Sequence, residues 1–288
     1  MERTRVACYA MATRFEIVIS GDSPVHARAA GEEALHEIAR IEAQLSWFKP
    51  DSVLSRINRH AAAGPFRVPA PVFRLIERCR LLHQLTQGAF DPTVRPDRVG
   101  RPPGMDGVRL DAHERTVHFA DPETNLNFGG IGKGWAIDAA ASILAESGIA
   151  HALIHGGTST ALALGADGGK PWRVAVSHPS PDRSGEIVAS IDLQDAALSA
   201  SGIYGRGSRT DTGWEGHVID PRDGRPVSHT ELAAVVTYFD EYAATDADAL
   251  STALLVLGAR STAFADRPTL CHDGSGISEL HGPWQTPN

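Results

Sequence analysis

Cysteine is scarce in this 288-residue chain: Cys8, Cys79 and Cys271 stand far apart and form no CxxC pair. That set fits neither a disulfide framework nor a zinc knuckle, so a reducing compartment is expected. Positive charge is also short. With 27 basic against 35 acidic residues the formal charge is -8, the wrong sign for gripping a nucleic-acid backbone. No stretch approaches the roughly 18 uninterrupted apolar residues of a membrane-spanning helix. The opening MERTRVACYAMATRF lacks the apolar centre of a secretory signal, and Cys8 follows no lipobox-like run. No nucleic-acid or membrane partner is therefore predicted, and a cytoplasmic location is. Internal repeats, low-complexity blocks and long linkers are absent as well, so one domain over residues 1–288 is expected.

What is present is a globular mixture of helix and strand patterns. Leu35, Ile38, Ile41 and Leu45 recur at helical spacing behind Ser23-Pro24, which predicts a helix over 24–45. A second helix follows Pro71 and stops at Gln87-Gly88, a third spans 131–147 before Gly148, and a fourth runs from near Thr245 to Gly258. Strand-like runs occupy Arg14 to Ile19, Thr116 to Phe119, Ala152 to Ile154, Trp172 to Val176, Ile187 to Ile191 and Ala233 to Phe239. Residues 96–107 read as a loop. Several strands follow one another between 152 and 240 without a helix, which favours an α+β class with a mixed, largely antiparallel sheet and flanking helices.

Three segments carry the polar chemistry. The first, NFGGIGKGWAID from Asn127 to Asp138, is a glycine-dense loop entering a helix. It is neither a Walker A loop nor a GxGxxG fingerprint. Its glycines, a helix N-terminus and Lys133 suit a phosphate or diphosphate, and equally a tight strand-to-helix turn with a solvated lysine. The second, GHVIDPRDGRP from Gly216, places His217 before a DPRDG turn, as a proton acceptor or as a structural histidine. The third, from Ala243 to Gly258, sets Asp248 and Thr252 four apart on one helix face. Their oxygens suit a hard cation such as Mg²⁺, while Thr245 with Asp248 also reads as a capping box.

Smaller segments surround these. GAFDPTV from Gly88 offers Phe90 as a ring platform or core residue and Asp91 as an acceptor; LSWFKPDS from Leu45 places two aromatics at a helix end. IHGGTS at 154–159 and ASGIY at 200–204 are strand-end turns rich in small residues. There is no GxSxG elbow and no HExxH pair, which leaves serine-hydrolase and zincin chemistry without support.

In this order, from Met11-Ala-Thr13 to DADALSTALLVLG, the segments resemble the ApbE-type FAD:protein FMN transferases. The resemblance implies transfer of FMN from FAD to a Thr or Ser of an acceptor protein, with release of AMP. It implies FAD contacts at Met11, Phe48, Ala89, Phe90, Asp91, Asn127 and Lys133, and Mg²⁺ held by the Gly130 carbonyl, Asp248 and Thr252. It also implies that His217 activates the acceptor hydroxyl, with Lys133 near the reacting phosphates. Asn127 stands where many relatives carry Asp, Gly130 where they often carry Ala, and HGGTS lacks an acid common after the paired glycines. FAD hydrolysis and flavin binding without catalysis are the alternatives.

Overall fold

Alternating inward and outward side chains fold the first residues into a hairpin, β1 (Glu2–Ala10) against β2 (Thr13–Gly21), closed by Met11 and Ala12 at positive φ. The computed structural model describes residues 2–95, 100–183, 185–204, 208–210, 213–215, 218–238, 240–258, 264 and 266–287. After the hairpin come α1 (Pro24–Leu45), α2 (Val53–His60), β3 (Phe66–Arg67), α3 (Ala70–Leu85), β4 (Val108–Asp111), β5 (Thr116–Phe119) and α4 (Gly132–Glu146). The second half holds β6 (Ala152–Gly156), β7 (Thr160–Leu164), β8 (Trp172–Ser177), β9 (Ile187–Leu193), β10 (Ala196–Gly202), β11 (Ser208–Thr210) and β12 (Gly213–Glu215). It closes with β13 (Leu232–Tyr238), α5 (Ala243–Leu257), β14 (Thr269–Asp273) and β15 (Gly276–His281).

Eight strands form one sheet in the order β1-β2-β6-β7-β10-β13-β14-β15, and every ladder in it is antiparallel. The α+β expectation holds. Helices α1, α4 and α5 cover one face, and the β8–β9 hairpin with Trp284 covers the other. Two apolar layers result, one containing Ile38, Ile137, Leu144 and Leu254, the other Trp172, Ile191, Leu198 and Val236. Burial of such side chains contributes about 1.5–3 kcal/mol each relative to exposure, the main favourable term in the fold. A smaller sheet, β3-β5-β4, sits with α2 and α3. All three cysteines are free, and burial raises the pKa of each thiol. No helix among the described residues is long and apolar enough to cross a membrane.

Helix α1 has the predicted bounds, and α4 lies within a residue of its own. Two departures have physical causes. Helix α2 was not predicted: it is only two turns long, and its start depends on the Ser52 hydroxyl accepting the Ser55 amide at 3.0 Å. Helix α5 starts at Ala243, two residues before the expected Thr245, because a carboxylate from another helix satisfies its first amides. His217 and Phe239 lie outside the described residues, as does the 96–99 part of the expected loop.

Helices α4 and α5 touch backbone to backbone at Gly134. A Cβ there would stand 2.1 Å from the Ala244 carbonyl oxygen and 2.7 Å from the Thr245 Cα. Replacing Gly by Ala inside a helix ordinarily stabilises by about 1 kcal/mol. At this crossing the sign reverses, since overpacking costs about 1–3 kcal/mol or more. Gly134→Ala is therefore expected to lower the unfolding free energy in urea titrations; an unchanged or higher midpoint contradicts the crossing.

Candidate functional site

The start of an α-helix leaves N–H groups without partners inside the helix, and a carboxylate is their best acceptor. At the Gly134 crossing α4 and α5 meet this need for each other. Asp248 of α5 accepts the Gly134 amide at 3.1 Å, in the first turn of α4. Asp138 of α4 accepts the Ala244 and Thr245 amides at 2.9 and 2.8 Å and the Thr245 hydroxyl at 2.6 Å, in the first turn of α5. The capping box that Thr245 and Asp248 offered as an alternative is not formed: Thr245 lies inside the helix and donates to Asp138, while the Asp248 carboxylate turns towards α4.

Lys133 completes the arrangement, its Nζ lying 3.0 and 3.3 Å from the two Asp248 oxygens. The Asp248 side chain is only 3% exposed, against 22% for Lys133, so a deeply buried negative charge is matched by a reachable positive one. Around the pair stand hydroxyls from three elements. Thr160 donates to Asp248 at 3.3 Å and lies 3.0 Å from Ser199. Ser201 lies 2.8 Å from Ser251 and 3.2 Å from Thr252, and Thr252 donates to the Asp248 carbonyl at 3.3 Å. Gly130 closes the cluster: a Cβ there would be 3.2 Å from the Thr252 hydroxyl and 3.7 Å from the Phe90 ring. Four of the expected residues, Gly130, Lys133, Asp248 and Thr252, thus come together, with Phe90 alongside.

The donor set fits a hard cation. Among the described residues no three His, Cys, Asp or Glu side chains gather as a metal cage, so soft or borderline metals lack their usual ligands. One carboxylate with hydroxyl and carbonyl oxygens is the set that suits Mg²⁺, which keeps much of its own water.

The remaining predicted residues occupy the loops around this cluster. Asp91 and Phe90 are buried with Ala89. Asp91 accepts the Thr93 amide and hydroxyl at 2.8 and 2.6 Å and the Met105 amide at 3.3 Å, so it braces its own loop. The Asn127 amide group donates to the Val94 carbonyl at 3.2 Å and accepts the Gly129 amide at 3.0 Å; a carboxylate could not make the first of these bonds. Asn58 clamps the preceding residue, exchanging two hydrogen bonds with the Leu126 backbone. Met11 donates its amide to Glu42 at 3.0 Å, which ties the first hairpin to the end of α1. Phe48, in the loop after α1, is 81% exposed.

The glycine loop itself differs from expectation. Its amides at Gly129, Ile131, Gly132 and Gly134 are engaged with Asn127, the Phe128 carbonyl and Asp248, which leaves Lys133 as the loop's chief attraction for an anion. Sequence reasoning also missed Asp138, Thr160, Ser199 and Ser201. Asp138 ends the glycine-loop motif, Ser201 lies in ASGIY and Ser199 just before it, yet only their partners across the fold reveal them.

Residues 11–271 match the ApbE family. The chain belongs to that family. Among its ApbE relatives, the FAD:protein FMN transferase of Vibrio cholerae is 31% identical over 242 residues, covering 77% of this chain and 71% of the relative. That of Salmonella typhimurium is 29% identical over 239 residues, covering 74% and 67%. The ApbE protein of Thermotoga maritima superposes with a TM-score of 0.84 at 25% identity, covering 97% of this chain and 96% of that one. The flavin transferase ApbE of Vibrio cholerae gives 0.77 at 26% identity, with the same coverage.

One ionisation at this ApbE helix crossing is displaced. Burial pushes the Asp138 carboxyl up to about 7, against the pull of its three donors. An unfolded chain releases that proton at about pH 4, so the folded chain holds it longer and the associated stabilisation is full only below that pH. The contribution is lost as pH rises through 7. Relative to Asp138→Asn, the wild type is expected to lose unfolding free energy across this interval in urea titrations. A wild-type-minus-variant difference that does not change with pH contradicts the assignment.

Proposed function

We propose that this chain is an FAD:protein FMN transferase that uses Mg²⁺ to move FMN from FAD to a Thr or Ser hydroxyl of an acceptor protein. The observation that carries the reading is the buried Asp248 paired with the reachable Lys133 beside Thr252 and Gly130, in a chain whose relatives bear that name.

The chemistry required is displacement at phosphorus. The acceptor oxygen bonds to the FMN phosphorus, the bond from that phosphorus to the oxygen bridging it to AMP breaks, and AMP leaves with the bridging oxygen. Gly130, Asp248 and Thr252 are the residues that would hold Mg²⁺, which when bound neutralises charge on phosphate oxygens. Lys133 brings a compact positive charge to the diphosphate, where charge moves onto the leaving phosphate. His217, outside the described residues, is assigned to accept the hydroxyl proton, a role worth about 10²- to 10⁴-fold in rate for a positioned base. Phe90 walls the cluster at Gly130, and the exposed Phe48 is the ring assigned to the flavin.

The test mixes the protein with FAD, Mg²⁺ and candidate acceptors carrying Thr or Ser, then measures AMP and covalently flavinylated product. Wild type is expected to form both in equal amounts. Asp248→Ala is expected to abolish transfer, and Lys133→Ala to reduce kcat/KM by about 10²-fold or more, the scale of losing one charge-stabilising group. AMP released with free FMN and no labelled protein points instead to hydrolysis, and full activity in Asp248→Ala removes the metal assignment.

A further inference from the structure

We propose that Asp138 is a positioning residue for the Mg²⁺ site: by gripping the first turn of α5 it sets where Asp248 and Thr252 stand relative to Lys133. The inference rests on the metal reading of that cluster and names a residue outside it. Asp138 makes no contact with Asp248, Lys133 or Thr252 among the described hydrogen bonds, so any influence on the cation passes through the helix.

The geometry is specific. Asp138 accepts the Ala244 amide on one oxygen, and the Thr245 amide and hydroxyl on the other. Both oxygens are thus committed to N–H donors that cannot turn away, because the Gly134 contact holds the two backbones together. Asp248 lies three residues beyond Thr245 and Thr252 a further turn along, on a helix that has no side-chain cap of its own. Lys133 and Asp138 share α4, so one rigid element carries both the charge that meets Asp248 and the clamp that aims it. An asparagine at 138 offers one acceptor oxygen in place of two and turns its NH₂ towards an amide donor, which forces the first turn of α5 to shift.

The test compares wild type, Asp138→Asn, Thr245→Val and Thr245→Ser at pH 8. Calorimetry with MgCl₂ alone gives cation affinity, thermal unfolding gives stability, and FAD affinity is measured without metal. Asp138→Asn is expected to bind Mg²⁺ about 10- to 100-fold more weakly, the usual scale for losing a group that orients a ligand. FAD affinity without metal should stay within about 2-fold of wild type, since Asp138 bonds Ala244 and Thr245 and none of the residues assigned to FAD. Thr245→Val, which removes one donor to Asp138, should fall between, and Thr245→Ser, which restores the hydroxyl, should return to wild type. If Asp138→Asn gives no cooperative unfolding, the Thr245 pair decides: equal Mg²⁺ affinity in the Val and Ser variants overturns the proposal. Wild-type Mg²⁺ affinity in a folded Asp138→Asn overturns it as well. A wild type that takes up no Mg²⁺ removes the metal reading itself, a separate result from either of these.

Discussion

Two helices exchange carboxylates across a glycine, and the candidate site exists because they do. Asp248 satisfies the first turn of α4, Asp138 satisfies the first turn of α5, and Gly134 lets the backbones approach closely enough for both. A helix end buried without acceptors is costly, so each carboxylate is held by a need of the partner helix. That mutual requirement fixes Asp248 in the interior, where a carboxylate alone would not be tolerated.

The charge balance at the site follows from the same constraint. A buried Asp248 needs a cation, and Lys133 provides one from the turn it caps. The hydroxyls of Thr160, Ser199, Ser201, Ser251 and Thr252 surround the Asp248–Lys133 pair with hard oxygen atoms. Such a set of oxygen atoms suits a divalent cation and a diphosphate. Around it the loops are braced internally: Asp91 by Thr93 and Met105, Asn127 by Val94 and Gly129.

The sequence made the long amphipathic elements legible because their periodicity is local. Leu35, Ile38 and Ile41 mark α1, and the Gly-rich entry marks α4. It also gathered Gly130, Lys133, Asp248 and Thr252 through the resemblance of their segments to one family. What it could not show were dependences between distant residues. The Gly134 amide meets Asp248 across 114 positions, and the Ala244 amide meets Asp138 across 106. Read along the chain, Thr245 with Asp248 can pass for a local cap; the resemblance sets Asp248 apart as a metal residue, and the partner helix shows that Asp248 serves α4 while Asp138 serves α5. Strand β10 escaped notice for a different reason: AALSASG has small residues of weak strand preference, and it is a strand because β7 and β13 flank it.

Among known proteins the chain is an ApbE family member, and its assigned chemistry stands on one small volume between α4 and α5. The most direct measurement is a crystal structure of the protein with FAD and Mg²⁺. The diphosphate is expected within hydrogen-bonding distance of the Lys133 ammonium, with the cation on Asp248 and Thr252. A dinucleotide bound elsewhere, or a cation that leaves Asp248 untouched, would contradict that assignment.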